Sequence, residues 1–142
     1  MKKFILTIDQ GTTSSRVVLY SLKFNIVDIV QKEFKQFFPK NGWVEHDAKE
    51  IWIDVNNLIK KILKKNKLKA NNIISIGIAN QRETTVLWNK KTGKPVNRAI
   101  VWQDRRTADY CNKIKNSKLE KKIQNITGLI IDPYFSSRKI RI

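Results

Sequence analysis

The chain has 142 residues, with 29 Lys and Arg against 12 Asp and Glu for a formal net charge of +17, and a mean hydropathy of −0.44. That length suits one domain with its own core, and no apolar run approaches the length of a membrane-spanning helix. The single cysteine, Cys111, excludes an internal disulfide and suits a reducing compartment, so the expected location is the cytoplasm.

The N-terminal run Met1–Leu6 imitates the start of a signal peptide, but Asp9 and Gln10 interrupt it before an apolar core accumulates. Phe4–Ile8 and Val17–Tyr20 read as two strands around a turn. That turn offers a phosphate several groups: Gly11 for close backbone approach, the hydroxyls of Thr12, Thr13, Ser14 and Ser15, and the charge of Arg16. Asp9, at the end of the first strand, suits Mg²⁺ directly or through water. The spacing alone fits an ordinary hairpin with a polar tip equally well. No G-x-x-x-x-G-K-[ST] or G-x-G-x-x-G pattern occurs.

Ser21–Asn25 reads as a turn into a third strand from Ile26 through Phe37, and Pro39–Gly42 as a loop. Asp47 is a suitable N-cap, with Glu50 three places on, for a helix ending near Lys65 or Asn66. Its expected core stripe is Ala48, Ile51, Trp52, Val55, Leu58, Ile59, Ile62 and Leu63. Lysines 60, 61, 64, 65, 67 and 69 crowd its end, where they suit the helix dipole and solvation. No RNP motif, zinc-finger spacing or aromatic ladder interleaves them, so nucleic acid is not an expected partner. His46 reads as a local contact, having no evident nucleophile beside it.

Ile73–Ala79 reads as a strand buried on both faces that delivers Asn80–Thr85 to its carboxyl end, where ligands of open α/β sheets collect. Thr85–Trp88 and Ala99–Trp102 read as two further strands joined by a loop containing residues 89–95. Gln103–Thr107 opens a helix carrying Ala108, Cys111 and Ile114 on one face; Asn116-Ser117 breaks it, and a second short helix runs to about Ile126 before Gly128. Strands and helices together imply a mixed α/β sheet flanked by helices.

Five separated segments resemble the FGGY carbohydrate kinases in order and spacing: Asp9–Arg16, Gly42–Asp47, Asn80–Thr85, Ala99–Thr107 and Thr127–Ser136. Their form is similar to that of the members that phosphorylate glycerol, and the similarity covers nearly the whole chain. The resemblance implies a ribonuclease-H-like (actin-like ATPase) fold and ATP-dependent formation of glycerol 3-phosphate, with glycerol, ATP/ADP and Mg²⁺ as ligands. It implies that Arg82, Glu83, Trp102 and Tyr134 bind the polyol, that Thr12, Thr13, Ser14 and Arg16 contact the nucleotide, and that Asp9 lies near the metal. Taken alone, Arg82-Glu83 reads as a surface ion pair, Trp102 as a core residue and Tyr134 as a buried tyrosine.

The same resemblance puts the catalytic base downstream of residue 142, so none of its catalytic residues is expected here. After Ser136 the family continues with a Thr-Lys pair, whereas this chain has Arg138-Lys139 and ends at Ile142. The expectation is therefore that residues 1–142 form the N-terminal domain cut short: a nearly inactive fragment, a polyol- or phosphate-binding module, or half of a split kinase whose C-terminal part is encoded separately. Apolar surface left exposed toward the C-terminal side follows from the same reading. A ribonuclease-H-like nuclease is a further alternative, and would need carboxylates such as Asp9, Glu45, Glu50 and Asp104 to converge.

Overall fold

The computed structural model describes residues 2–115 and 117–140. The predicted break at Asn116 and the terminal Arg141 and Ile142 lie outside the described residues. The chain divides into two units, one of Met1–Lys35 with Asp47–Gln81, the other of Gln36–His46 with Arg82–Ile142.

The first unit is a sheet covered by a helix. β1 (Phe4–Gln10) and β2 (Ser14–Ser21) form the expected antiparallel hairpin, β3 (Ile26–Glu33) adds antiparallel to β2, and β5 (Ile73–Ala79) adds parallel to β1, giving the order β3-β2-β1-β5. Alternation along the strands puts Leu6, Ile8, Val17, Leu19 and Val30 on one face, where they pack against Leu58 and Ile62 of α1 (Ala48–Lys65). Each such side chain contributes roughly 1.5–3 kcal/mol by leaving water. Asp47 caps α1 as its sequence predicts, accepting from the backbone N–H groups of Lys49 and Glu50. The α1 stripe holds except at Trp52, which is exposed.

Two expectations fail in this unit. The third strand stops at Glu33 rather than Phe37, because Phe34 turns into the interior and Phe37 instead makes an isolated bridge to Glu45. Strand β5 forms where expected, but it is not buried on both faces: Ile74, Ile76 and Ile78 are 55%, 55% and 72% exposed. Ile76 and Ile78 are register partners of Leu6 and Ile8 and share the core-facing side of the sheet. α1, however, packs chiefly on β2 and β3, which leaves the β5 end of that face uncovered.

The second unit has little sheet. β4 (Glu45–His46) pairs antiparallel with β6 (Ala99–Ile100). The predicted strand at Thr85–Trp88 is reduced to isolated bridges, Thr85 to Ile100 and Trp88 to Pro95, and Leu87 and Trp88 are exposed. Residues 103–107 make turns, so α2 (Ala108–Lys115) starts later than predicted, with Cys111 and Ile114 buried against Ile131. α3 (Leu119–Thr127) ends at Gly128, whose φ of 70° provides the left-handed stop. A short α4 (Ser136–Lys139) follows the 129–135 loop. Ile126, Leu129, Ile130 and Ile140 are exposed in this region.

Candidate functional site

The β1–β2 turn of the first unit closes through Gly11 N–H donating to the Ser14 carbonyl at 3.0 Å. A Cβ at position 11 would stand 3.3 Å from that carbonyl oxygen, so this tight turn favours glycine. Asp9 and Arg16 are register partners, and their side chains approach to 3.9 Å at the exposed rim. Arg16 also donates from Nε to Gln31 Oε1 at 3.0 Å, and Gln31 Nε2 donates to Ser14 Oγ at 2.9 Å. Thr13 is exposed, while Thr12 and Ser14 are half-buried. Ser15 departs from the expectation that it faces a phosphate: it is fully buried and its hydroxyl donates to Gln10 Oε1 at 2.7 Å. The turn therefore offers three hydroxyls, one guanidinium and one exposed carboxylate.

Among the described residues, no three His, Cys, Asp or Glu side chains gather as a metal site. A lone exposed Asp9 fits an ion held mainly by water and substrate phosphates, as Mg²⁺ commonly is, rather than one caged by protein.

The second unit assembles the other group. Glu83 takes a left-handed backbone conformation, φ 62°. Its Oε2 accepts from Ser136 N–H at 2.8 Å and from Ser136 Oγ at 2.9 Å. The Ser136 backbone bond is the largest of the influences that hold the Glu83 carboxyl below its ordinary pKa, with the Lys139 and Arg82 charges adding to it. Oε1 stays outside both Ser136 bonds, which leaves an anionic acceptor. Arg82 is exposed beside it. The Trp102 and Tyr134 rings meet edge to face, centroids 5.9 Å apart, and Phe135 meets Tyr134 at 5.1 Å.

The second unit also holds a buried ionic cluster that sequence reasoning did not foresee as a unit. Arg106 donates to Asp104 through Nε and Nη2, both at 2.9 Å, and to Glu45 Oε1 at 2.8 Å, while its guanidinium stacks 3.8 Å from the Trp43 ring. Asp104 also accepts from the N–H of Val44 at 2.7 Å. Glu45 and Asp104 thus converge, but on an arginine, which removes them as metal ligands for the nuclease alternative. His46 is buried and pairs through Nε2 with Gln36 Oε1 at 2.8 Å; burial pushes its pKa down to about 4. That agrees with a local role. Arg138 lies over the Tyr110 ring.

A family model for the FGGY family of carbohydrate kinases, N-terminal domain, matches residues 4–141. The chain is 56% identical over 140 residues to a glycerol kinase of Oceanobacillus iheyensis, covering 99% of this chain and 28% of that protein. The crystal structure of Plasmodium falciparum glycerol kinase with ADP matches with a TM-score of 0.89 at 38% identity, over 98% of this chain and 28% of that one. A gluconate kinase from Lactobacillus acidophilus has the same TM-score at 24% identity, over 99% of this chain and 28% of that one, and so shares the fold. The chain has the mixed α/β, actin-like ATPase fold of sugar-kinase N-terminal domains. The chain spans about 28% of the length of the relatives it matches.

Proposed function

Since the chain belongs to the FGGY family of carbohydrate kinases, we propose that it carries the polyol-binding end and the first phosphate-binding turn of a glycerol kinase. The observation that carries this reading is the cluster in the second unit: an acceptor carboxylate, Glu83, held by Ser136, with Arg82 next in sequence and the Trp102–Tyr134 pair in the same unit. A small polyol needs an acceptor for its O–H groups, a donor for its oxygen lone pairs and an apolar wall for its carbons. Glu83, Arg82 and the two rings offer one of each.

In the first unit, Thr12, Thr13, Ser14 and Arg16 are the donors for a nucleotide's phosphates. Asp9 is the carboxylate for a Mg²⁺ ion, which would neutralise charge on the transferring phosphoryl group. In this chain Arg82 and Glu83 orient the attacking hydroxyl, and the aromatic pair limits where the carbons lie. The group that takes that hydroxyl's proton is assigned to the family sequence outside the matched stretch. Phosphoryl transfer needs positioning and charge stabilisation around the γ-phosphate, so residues 1–142 alone are expected to bind without appreciable turnover. The exposed Ile74, Ile76 and Ile78 suit a unit that works covered by further kinase sequence, on the same polypeptide or a separately encoded one. The cytoplasm is the expected location: Cys111 is a buried free thiol, and among the described residues no helix is long and apolar enough to cross a membrane.

The test is to exchange residues 1–142 for the matching segment of the Oceanobacillus iheyensis glycerol kinase and assay ATP-dependent glycerol 3-phosphate formation. The chimera should turn over glycerol; Arg82→Ala should raise KM for glycerol, and Asp9→Ala should lower kcat. A folded chimera that phosphorylates another sugar but not glycerol would overturn the reading.

A further inference from the structure

Lys139 is 2% exposed, although it sits on the four-residue α4 among charged and polar neighbours. Its Nζ donates to two main-chain oxygens, that of Glu83 at 2.8 Å and that of Tyr134 at 2.9 Å. Glu83 and Tyr134 are 51 positions apart in sequence and belong to different loops. Each is held at a second point as well. The Glu83 carboxylate is bound by Ser136, three residues before Lys139, and the Tyr134 N–H donates to Asp132 Oδ1 at 2.8 Å.

We propose that Lys139 is the positioning residue of the polyol-binding end: its single ammonium ties the backbone of Glu83 to that of Tyr134 and so sets the separation of the two side chains that receive the substrate. This rests on the glycerol-kinase reading for the identity of the substrate, but not for the tie itself.

Two physical points support a positioning role over simple stabilisation. Burying an ammonium is costly, and hydrogen bonds to neutral carbonyls repay the cost poorly, so such a group is weak support for stability. In addition, Glu83 has a positive φ, which a non-glycine residue adopts at a cost and keeps only when its surroundings hold it. A carbonyl anchored to Lys139 and a carboxylate anchored to Ser136 hold it from both sides. Burial lowers the Lys139 pKa to about 8; Asp104, Glu83 and Asp132 act to raise it and Arg106 to lower it. None of those four has an ordinary pKa near 8.

The experiment compares the 142-residue chain with Lys139→Met, which keeps the stem and removes the donors, and Lys139→Arg, which keeps the charge. Glycerol binding is titrated by NMR, and amide exchange is followed at Ser136 and Tyr134 together with Cys111 in the α2 core. Lys139→Met should bind glycerol at least tenfold more weakly and speed exchange at Ser136 at least tenfold while Cys111 is unchanged, and Lys139→Arg should recover part of both. Unchanged glycerol affinity and unchanged Ser136 exchange in Lys139→Met would overturn the proposal. If the unsubstituted chain does not bind glycerol, the substrate reading fails, and the Ser136 and Tyr134 amides alone decide the tie. Should Lys139→Met not fold, the carbonyl carbons of Glu83 and Tyr134 in the unsubstituted chain are titrated instead. A shared midpoint near pH 8 supports the proposal, and separate or absent midpoints refute it.

Discussion

Replacing Arg106 by Ala tests whether the ionic cluster of Glu45, Asp104 and Arg106 holds the second unit together. The Arg106 side chain is 8% exposed, and its removal deletes three charge-assisted hydrogen bonds and the stacking on Trp43. It also leaves Asp104, 1% exposed, without its counter-charge. Stranding one partner of a buried ion pair costs roughly 3–5 kcal/mol. The lower end applies here, because Asp104 still accepts from the N–H groups of Val44 and residue 106. Loss of the cation–π contact adds about 1 kcal/mol. The expected total is about 4 kcal/mol, a large fraction of the roughly 5–15 kcal/mol that holds a domain. Arg106→Lys keeps a charge but not the fork that reaches both carboxylates, and should lose about half as much. Urea unfolding followed by tryptophan fluorescence suits the measurement, because Trp43, Trp88 and Trp102 report on the second unit and Trp52 on the first. A loss below about 1 kcal/mol for Arg106→Ala, or a lysine variant as stable as the parent, would refute the assignment of this cluster as the unit's brace.

His46 should make the second unit acid-sensitive. Its folded pKa of about 4 lies below the ordinary 6.5, so between those values the unfolded state binds more protons and stability falls as pH falls, by up to roughly 3 kcal/mol; His46→Gln should flatten the pH dependence of the urea midpoint over that window. In the first unit, Lys32→Met would leave the carboxylate of Asp54, 2% exposed, without its ion-pair partner, and should lower that unit's urea midpoint. Ile76→Lys with Ile78→Lys should reduce self-association measured by light scattering, since both side chains lie uncovered on an edge strand; equal scattering would move the sticky surface elsewhere. Binding to DNA or RNA should be weak, indifferent to sequence and steeply lost as salt rises; tight binding at high salt would give the +17 charge a specific role.

The parts legible in the sequence are those whose signals are local. The hairpin followed from two apolar runs around Gly11, and α1 from Asp47 and a 3.6-residue stripe. The stop of α3 followed from Gly128. Burial of β5 was misjudged because an isoleucine-rich run shows that a strand is suited to being covered, not which element in hand covers it. Thr85–Trp88 has strand-like residues, but cross-strand pairing decides strand formation, and here pairing is limited to single bridges. Among the candidate site residues, the roles suggested for Glu83, Trp102 and Tyr134 came from resemblance. What holds Glu83 was not visible, nor was the Glu45–Asp104–Arg106 cluster: Ser136 and Lys139 reach Glu83, and Arg106 reaches Glu45, across dozens of residues, and no short motif marks a side chain that grips a distant main-chain oxygen.

The two units are interleaved along the chain, and this bears on the order in which they fold during synthesis. The first unit has all its strands once residue 79 is available, and its long-range pairing of β1 with β5 closes at that point. Residues 36–46 are by then already made, yet β4 must wait for β6 at Ala99–Ile100, and Glu45 must wait for Arg106. Closing the first unit therefore extrudes this segment as a loop, at an entropic cost that grows only slowly with loop length. Domains generally fold as units, the N-terminal one first, as the chain emerges. A nascent chain paused between residues 80 and 98 would thus present a folded sheet and helix, with 36–46 open to proteases and chaperones. Extending it past Arg106 would shut that window.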